Sequence, residues 1–354
     1  MSDLSIKQEY QKKNHFKFQM LLIGVVAVMI SGMWFVTIGI TDTSIGQVWR
    51  AILAWLSGTL EGHPDAVAYK VILLMRLPRV ALALLAGVGL AVSGVAMQGI
   101  TRNPLVSPFT VGISSAAAFG ASLAIVFGFC LFPGSDLGTV LNAFICSLLC
   151  VAIVYLVSKR VKSGEQSIVL TGIALNYLFS AMSSTIEFFA EEHDLADVVQ
   201  WSFGTFNGSA WNEVIVVGAF VTVCTVIIAR VSLKLNVISL GDDELVKSVG
   251  VNPEALRNIV GLLSVLMTAA IISFTGVIGF VGLVAPHVAR MLIGNDHRFL
   301  IPFSALFGAF LLMASDVVGR VILAPVSIPV GIVVSFLGVP LFVHLILKKR
   351  REYF

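Results

Sequence analysis

One segment, residues 76–112, constrains the fold more than any other part of the chain. It reads RLPRVALALLAGVGLAVSGVAMQGITRNPLVSPFTVG. Two arginines and a proline precede an apolar run long enough to cross a bilayer, and a second apolar run follows it after a short polar break. Inside the first run, small residues recur four positions apart, Gly87 with Ala91 and Gly89 with Ser93. Because small residues let helix backbones approach closely in lipid, we predict a membrane span that packs against other spans.

The rest of the chain repeats this pattern of long apolar runs. Of its 354 residues, 57% are hydrophobic and 12% are charged, whereas a soluble domain is nearer half apolar and a quarter charged. At about 20 apolar residues per span, we predict an all-α polytopic membrane protein with about ten transmembrane helices. The predicted spans are Phe18–Ile40, Leu77–Ile100, Pro108–Phe132, Leu137–Val157, Ser167–Phe189, Trp211–Val231, Leu256–Phe274, Val277–Ile293, Leu300–Val321 and Ile328–Leu347.

The basic residues indicate which side of the membrane each connection faces. With both termini in the cytoplasm, all but five of the 23 Lys and Arg residues fall on the cytoplasmic side, and the exceptions are Arg50, Lys70, Arg76, Arg79 and Arg320. Positive residues concentrate in cytoplasmic connections, so we predict this orientation. Residues 1–17 and 348–354 are then cytoplasmic tails, and residues 18–347 form a single transmembrane domain. The lipid bilayer is an expected partner, and nucleic acid is not.

The sequence lacks the motifs of several classes of enzyme and metal site. No GxxxxGK[ST], HExxH or GxSxG string occurs, so no phosphate-binding loop, zinc-protease helix or hydrolase nucleophile is indicated. The middle of each predicted span is nearly free of ionisable groups, which argues against an ion-coupled secondary transporter. The cysteines lack CxxC spacing and favour buried small side chains over a metal site: Cys130, Cys146, Cys150 and Cys224. We expect no enzyme activity, metal or cofactor on this chain.

Two connections are long enough to be more than turns. The external one, Thr41–Arg76, contains tryptophans typical of interfacial anchors. The internal one, Ser232–Ala255, contains a segment, 239–252, in which Gly241 and Gly250 bracket acidic residues followed by a lysine. That order of charges suits the dipole of a short helix. The residues alone leave two interpretations open, a solvated loop or an element that docks on a partner.

A series of short motifs runs along the chain after the first span. In this order and spacing, the motifs resemble those of the permease subunits of ATP-driven importers for iron chelates, haem and vitamin B12. They are Arg76-Leu-Pro-Arg79, Gln98-Gly99, Arg102-Asn-Pro-Leu105, Leu170-Thr-Gly-Ile-Ala-Leu175, Trp201-Ser-Phe-Gly204, Leu240-Gly241, Gly276-Val-Ile-Gly-Phe-Val-Gly-Leu283, Pro286-His287 with Arg290, Asp316 with Arg320, Ala324-Pro325 and Ile328-Pro-Val-Gly331.

The resemblance implies that the chain works within an assembly. Two permeases pair, either two copies of this chain or this chain with a relative. Two ATPase subunits, which hold ATP and Mg²⁺, bind underneath, and an extracytoplasmic binding protein delivers the substrate from above. The route runs along the permease–permease interface, in the cytoplasmic membrane of a bacterium or archaeon.

The resemblance also assigns roles to particular residues by position. The 239–252 segment matches the family's coupling helices, which sit in a groove of the ATPase; its residues are Leu240, Gly241, Asp242, Asp243, Glu244, Leu245, Val249 and Gly250. Three outer arginines match positions that meet acidic residues of the binding protein, a role that suits the guanidinium fork: Arg76, Arg79 and Arg320. The alternatives are interfacial anchoring for the first two and an ion pair with Asp316 for the third.

Two further sets of residues are assigned in the same way. The cytoplasmic gate region corresponds to Ser163, Gly164, Glu165 and Gln166. Residues expected to shape bends and tie loops at the inner face are Arg102, Asn103, Pro104, Pro286, His287 and Arg290. The polar residues Gln98, Asn142 and Asn176 serve either interhelical hydrogen bonding or the pathway, and the sequence does not separate the two.

We therefore predict the membrane-spanning subunit of an importer for an iron chelate, a ferric siderophore. The first alternative is the same importer class carrying vitamin B12, haem or an oxyanion such as molybdate. The second is an ion-coupled secondary transporter, which the lack of intramembrane charge disfavours. Cargo identity is expected to reside largely in the binding protein.

Overall fold

The structure, a computed structural model, describes residues 3–39, 43–59, 65–161, 164–239 and 241–349, which form helices and turns without a strand. The helices are α1 (Asp3–Thr37), α2 (Ile45–Leu56), α3 (Ala66–Val71), α4 (Leu77–Thr101), α5 (Ile113–Phe127), α6 (Asp136–Val161), α7 (Gly164–Phe189), α8 (Glu192–Ser202), α9 (Trp211–Arg230), α10 (Ser232–Ile238), α11 (Asp243–Ser248), α12 (Pro253–Thr275), α13 (Val281–Ile293), α14 (His297–Val321) and α15 (Val330–Lys349). A π-helical turn, Ile72–Arg76, leads into α4, and a 3₁₀ turn, Pro108–Val111, precedes α5.

Each of the ten predicted spans contains one apolar helix, which confirms the predicted fold class. Within the described residues, seven helical stretches are long and apolar enough to cross a membrane, and they contain α1, α4, α6, α7, α9, α12 and α14. The other three, α5, α13 and the described apolar part of α15, are shorter than the predicted spans. A 15-residue helix such as α5 covers about 22 Å, less than a hydrocarbon core of about 30 Å.

Backbone turns inside the apolar runs shorten two of these helices. Gly112 and Gly128 both have left-handed φ angles, of 87° and 61°, and they bound α5 on either side. The predicted start of a span at Val277 is wrong, because residues 276–280 are not helical and α13 begins only at Val281. Irregular backbone at membrane depth is tolerated where protein buries it or where it lines a cavity. A cavity of about 580 Å³, lined in part by Phe203, Phe280 and Phe336, lies beside this segment.

Helix α4 is the centre of the molecule, as its small residues predict. It packs against α14, α12, α13, α9 and α1, and most of its residues are buried. A Cβ added to Gly87 would lie 2.3 Å from the carbonyl oxygen of Gly308 in α14, and one added to Gly94 would lie 1.9 Å from that of Gly282 in α13. Such approaches require glycine, so close backbone packing holds α4 in place.

The connections contain more helix than the sequence indicates. The external connection holds α2, whose first turn is closed by a capping box between Ser44 and Gln47, and then α3. A further helix, α8, precedes α9. At the N-terminus α1 begins at Asp3, so the predicted tail 1–17 is continuous with the first span from that residue on. Of the predicted C-terminal tail, residues 350–354 lie outside the described residues.

Candidate docking and coupling sites

The N-terminal end of α4 lies at a cluster of one aspartate and two arginines, Arg79, Asp316 and Arg320, which we call the outer clasp. The terms outer and inner refer to the predicted sides of the membrane. Arg79 donates through Nε and Nη2 to the Asp316 carboxylate at 2.8 to 3.0 Å. Arg320, one helical turn after Asp316 on α14, places its Nε 3.1 Å from the same carboxylate. The predicted alternative for Arg320, an ion pair with Asp316, is therefore confirmed. The exposed fractions are 16% for the Arg79 side chain and 3% for that of Asp316.

Arg76 lies beside the outer clasp but points to a different partner. Its Nη1 donates to the carbonyl oxygens of Val36 and Thr37, at 3.2 and 3.0 Å, in the last turn of α1. Arg320 donates to the Ile38 oxygen at 2.8 Å. The last carbonyl oxygens of a helix have no N–H donor within the helix, and they carry the negative end of its dipole. A cation placed there is therefore stabilising. Arg76 is buried, and the structure gives it a role in capping α1 that the sequence did not indicate.

At the inner end of the molecule, α11 forms within the predicted coupling segment. Gly241 and Gly250, at φ 143° and 81°, bracket it as predicted. The Asp242 side chain caps its N-terminus by accepting from the Glu244 amide. Val246 is buried, whereas Leu245 and Val249 are 56% and 60% exposed. Leu240, also assigned to this segment, lies outside the described residues.

Asp243, the first residue of α11, turns back toward the protein. It accepts from Arg257 at 2.7 and 2.8 Å and from Arg102 at 2.6 Å, and we call these three residues the inner clasp. The hydrogen bond from Arg257, helped by that from Arg102, holds the pKa of Asp243 well below its usual range despite partial burial. Arg102 and Arg257 also donate to backbone oxygens, those of Ile238 and Ile100. The sequence grouped Asp243 with the docking residues, but the structure pairs its carboxylate within the chain.

Two of the residues predicted to shape bends and tie loops, Arg102 and Asn103, make such bonds at the C-terminal end of α4. Arg102 follows α4 with a left-handed φ of 49°, which positions its side chain toward Ile238. The Asn103 side chain accepts from the Leu105 amide at 2.9 Å and so closes the turn that contains Pro104. In α13, Pro286 lies inside the helix and His287 is buried. Arg290 lies in the last turn of the same helix.

The predicted gate region is only partly described. Ser163 lies outside the described residues, and so do the side chains of Gly164, Glu165 and Gln166. The backbone of these three residues forms the first turn of α7. The helix therefore begins three residues before the predicted start of this span at Ser167.

The three polar residues left open by the sequence all bond to backbone or side chains of other segments. Gln98 donates to the Gly282 oxygen at 3.4 Å, and Asn142 donates to the Phe129 oxygen at 2.7 Å. Asn176 accepts from the hydroxyl of Ser115. These bonds favour the interpretation as links between packed helices and turns.

A second inner network was missed by sequence reasoning. Asp296 caps α14 and accepts from Asn236 at 2.8 Å and from Arg298. Burial opposes ionisation of this carboxyl, but the hydrogen bonds from Arg298 and Asn236 outweigh it and lower the pKa to about 2. Arg298 also donates to the Tyr10 hydroxyl at 2.9 Å and thus ties α1 to α14. Asp296 lies four residues before the predicted start of this span at Leu300, and an aspartate there is a capping signal that could have indicated this site. Among the described residues, no group of three His, Cys, Asp or Glu could hold a metal ion.

Comparisons with known proteins agree with this architecture. Residues 20–348 match the FecCD transport family. The iron(3+)-hydroxamate import permease FhuB of Bacillus subtilis is 36% identical over 94% of this chain and 83% of its own length. The molybdate import permease MolB of Haemophilus influenzae is 37% identical over 94% of each chain. A solved inward-facing structure assigned to the metal-chelate type of ABC transporter has a TM-score of 0.82 and 34% identity, covering 93% of this chain and 99% of that one. The chain therefore belongs to the FecCD transport family, as its motifs predict.

Proposed function

We propose that this multi-pass ABC importer permease brings a ferric siderophore into the cytoplasm, together with two ATPase subunits and a binding protein. The observation that carries the proposal is α11. It lies beyond the inner end of α4 and exposes Leu245 and Val249, four residues apart, while Val246 anchors it to the protein. Residues four apart share one face of a helix, so the two apolar side chains form one contact surface.

The composition of α11 favours a protein partner for this surface. Its exposed apolar side chains are surrounded by the charged residues Asp242, Glu244 and Lys247, as in an interface with an apolar centre and a polar rim. A groove on an ATPase subunit is the occupant that the family assembly provides. In this proposal ATP and Mg²⁺ are bound by the ATPase subunits, and the permease carries out no bond chemistry.

The outer surface suits an acidic binding protein. Arg79 and Arg320 flank the carboxylate of Asp316 and Arg76 lies close to Arg320, so positive charge is in excess there. Arg79 has the most exposed side chain of the outer clasp and also reaches Asn207. We propose that Arg79 is the principal contact for partner carboxylates, while Arg76 and Arg320 keep the end of α1 in place.

The choice of cargo rests on chemistry and on the relatives. FhuB imports an iron(3+) hydroxamate by its name, and MolB imports molybdate, at nearly the same identity to this chain. The cavity beside residues 276–280 is lined by apolar and small polar side chains, including Phe203, Phe280 and Ser335. A wall without charge suits a bulky chelate that must pass without being held tightly. Vitamin B12, haem or an oxyanion is the alternative cargo.

The proposal includes the orientation and the pairing of the chain. Both termini and α11 face the cytoplasm of a bacterium or archaeon, because the basic residues concentrate on that side. Two permeases, identical or related, enclose the route, and residues 163–166 form its inner gate.

Reconstitution tests this proposal. The permease is placed in lipid vesicles with its ATPase subunits on the face that carries α11 and the binding protein on the face that carries Arg79. Uptake of a radiolabelled ferric siderophore should then require ATP. Replacing Leu245 and Val249 by serine should abolish co-purification of the ATPase subunits, whereas Leu233→Ser, at an equally exposed apolar residue of α10, should not.

Three results would contradict different parts of the proposal. Uptake driven by an ion gradient without ATPase subunits would overturn the importer class. Uptake with the two partner faces exchanged would overturn the orientation. ATP-dependent uptake of molybdate or vitamin B12 but of no ferric siderophore would overturn the cargo alone.

A further inference from the structure

Helix α11 and Val249, the residue that follows it, present two kinds of side chain. Leu245 and Val249 are exposed, whereas the Asp243 carboxylate accepts three hydrogen bonds from two arginines of the same chain. The carboxylate is therefore committed to internal pairs, and the exposed apolar side chains with their charged rim are left for a partner. Leu245 and Val249 would therefore bind the ATPase, whereas Asp243 connects α11 to the rest of the permease.

The inner clasp joins four helices at one point. Asp243 begins α11, Arg257 lies in the first turns of α12, and Arg102 directly follows α4. Arg102 also donates to Ile238, the last residue of α10, at 2.8 Å, and Arg257 donates to Ile100 in the last turn of α4 at 3.3 Å. Bidentate pairing between a guanidinium and a carboxylate fixes orientation as well as distance. A displacement of α11 is therefore imposed on α4, α10 and α12 together.

The two long helices of this set lead to the other functional regions. Helix α12 ends at Thr275, directly before the segment 276–280, which lines the cavity through Val277, Gly279 and Phe280. Helix α4 runs through the centre of the molecule to the outer clasp, where Arg79 pairs with Asp316. Both helices are continuous and closely packed, so movement at their inner ends reaches their outer ends.

We propose that Asp243 is a positioning residue that transmits movement of α11 to α4 and α12, and that it does not contribute to ATPase binding. This inference rests on the proposed function of α11. It assigns to Asp243 a role different from that of Leu245 and Val249, although all three lie within seven residues of one another.

The test uses the complete importer in vesicles and compares Asp243→Asn with a matched control, Glu254→Gln. Glu254 is an exposed acid in the first turn of α12, so the control removes the same charge from the same face without touching the inner clasp. Asp243→Asn should leave the amount of bound ATPase unchanged and lower the siderophore transported per ATP hydrolysed by roughly tenfold, within the range usual for coupling between sites. Asp243→Glu keeps the charge, so the siderophore transported per ATP hydrolysed should stay close to the wild-type value. In Glu254→Gln this ratio should equal the wild-type value.

A double-mutant cycle identifies the partner. If Asp243 acts through Arg257, adding Arg257→Gln to Asp243→Asn should lower the ratio no further than either single change. An unchanged ratio in Asp243→Asn would overturn the inference, and so would loss of ATPase binding in that variant, because Asp243 would then belong to the docking surface. Additive effects of the two changes would overturn the connection to α12. Failure of the wild-type chain to bind ATPase subunits would instead contradict the proposed function.

Discussion

The outer and inner clasps have the same composition and opposite environments. Each holds one aspartate between two arginines and fixes one end of α4 to another helix. In the outer clasp the Asp316 side chain is 3% exposed, and in the inner clasp the Asp243 side chain is 38% exposed. The attraction between charges is stronger where water is excluded, but an unpaired charge there is also far less tolerable.

This difference suggests that the two clasps do different work. A buried carboxylate between two arginines must stay paired, so the outer clasp is a fixed joint between α4 and α14 that also supports the end of α1. The inner clasp borders solvent, where water can replace a lost hydrogen bond at little expense. It holds α11 in one orientation through pairs that can break and re-form in water. Opposite ends of one central helix thus combine a buried attachment with a solvent-accessible one.

The largest expected effect is on stability, from removal of the buried carboxylate. Asp316→Ala leaves Arg79 and Arg320 close together without their counter-charge, and breaking a buried ion pair in this way destabilises by about 3–5 kcal/mol. Asp243→Ala removes a partly exposed carboxylate and should destabilise by no more than about 1 kcal/mol. Thermal unfolding of the purified permease in detergent compares the two variants. Equal losses would show that exposure does not distinguish the clasps.

The next effect separates two arginines that the sequence treats alike. Arg79→Gln should weaken binding of the binding protein by roughly 30-fold or more, since loss of one partner of a charged interface pair costs about 2 kcal/mol or more. Arg76→Gln should leave that affinity nearly unchanged and lower the thermal stability, because Arg76 donates to Val36 and Thr37 at the end of α1. The loss of affinity is measured by titrating the binding protein onto the importer in vesicles. The loss of stability is measured by thermal unfolding of the purified permease.

A control for folding accompanies these variants. Arg79→Lys keeps the positive charge but loses the fork that engages Asp316, so its affinity should fall between wild type and Arg79→Gln. A larger loss of affinity in Arg76→Gln than in Arg79→Gln would reverse the assignment and restore Arg76 as the docking residue.

The sequence predicts helix α11, but it predicts neither clasp. Glycines at both ends, acids first and a lysine last are signals within ten residues of one another, so α11 could be recognised locally. The contact between Arg79 and Asp316 joins residues 237 positions apart, and nothing in either neighbourhood indicates the other. Residues 277–280 are apolar like the span that follows, so hydropathy could not show that the helix begins only at Val281. Local patterns thus give the elements, whereas close packing of distant segments decides the partners.

The smallest expected effect concerns pH. Hydrogen bonds from Arg257 and Arg102 lower the pKa of Asp243 in the folded protein, whereas an aspartate in an unfolded chain has a pKa of about 3.9. A lowered folded-state pKa means that the pairing contributes fully above the unfolded value and is lost only as pH falls toward the folded one. Asp243 should therefore stay ionised between pH 5.5 and 7.5, even when the inner clasp opens briefly to water. The siderophore transported per ATP hydrolysed should change with pH equally in wild type and in Asp243→Asn over this range.

A ratio that falls at pH 5.5 in wild type to the level of Asp243→Asn, with no change in that variant, would show that the carboxylate is protonated during the cycle. The inner clasp would then spend part of the transport cycle in an environment that raises the pKa of Asp243. The contrast between a solvent-accessible inner clasp and a buried outer clasp would be lost.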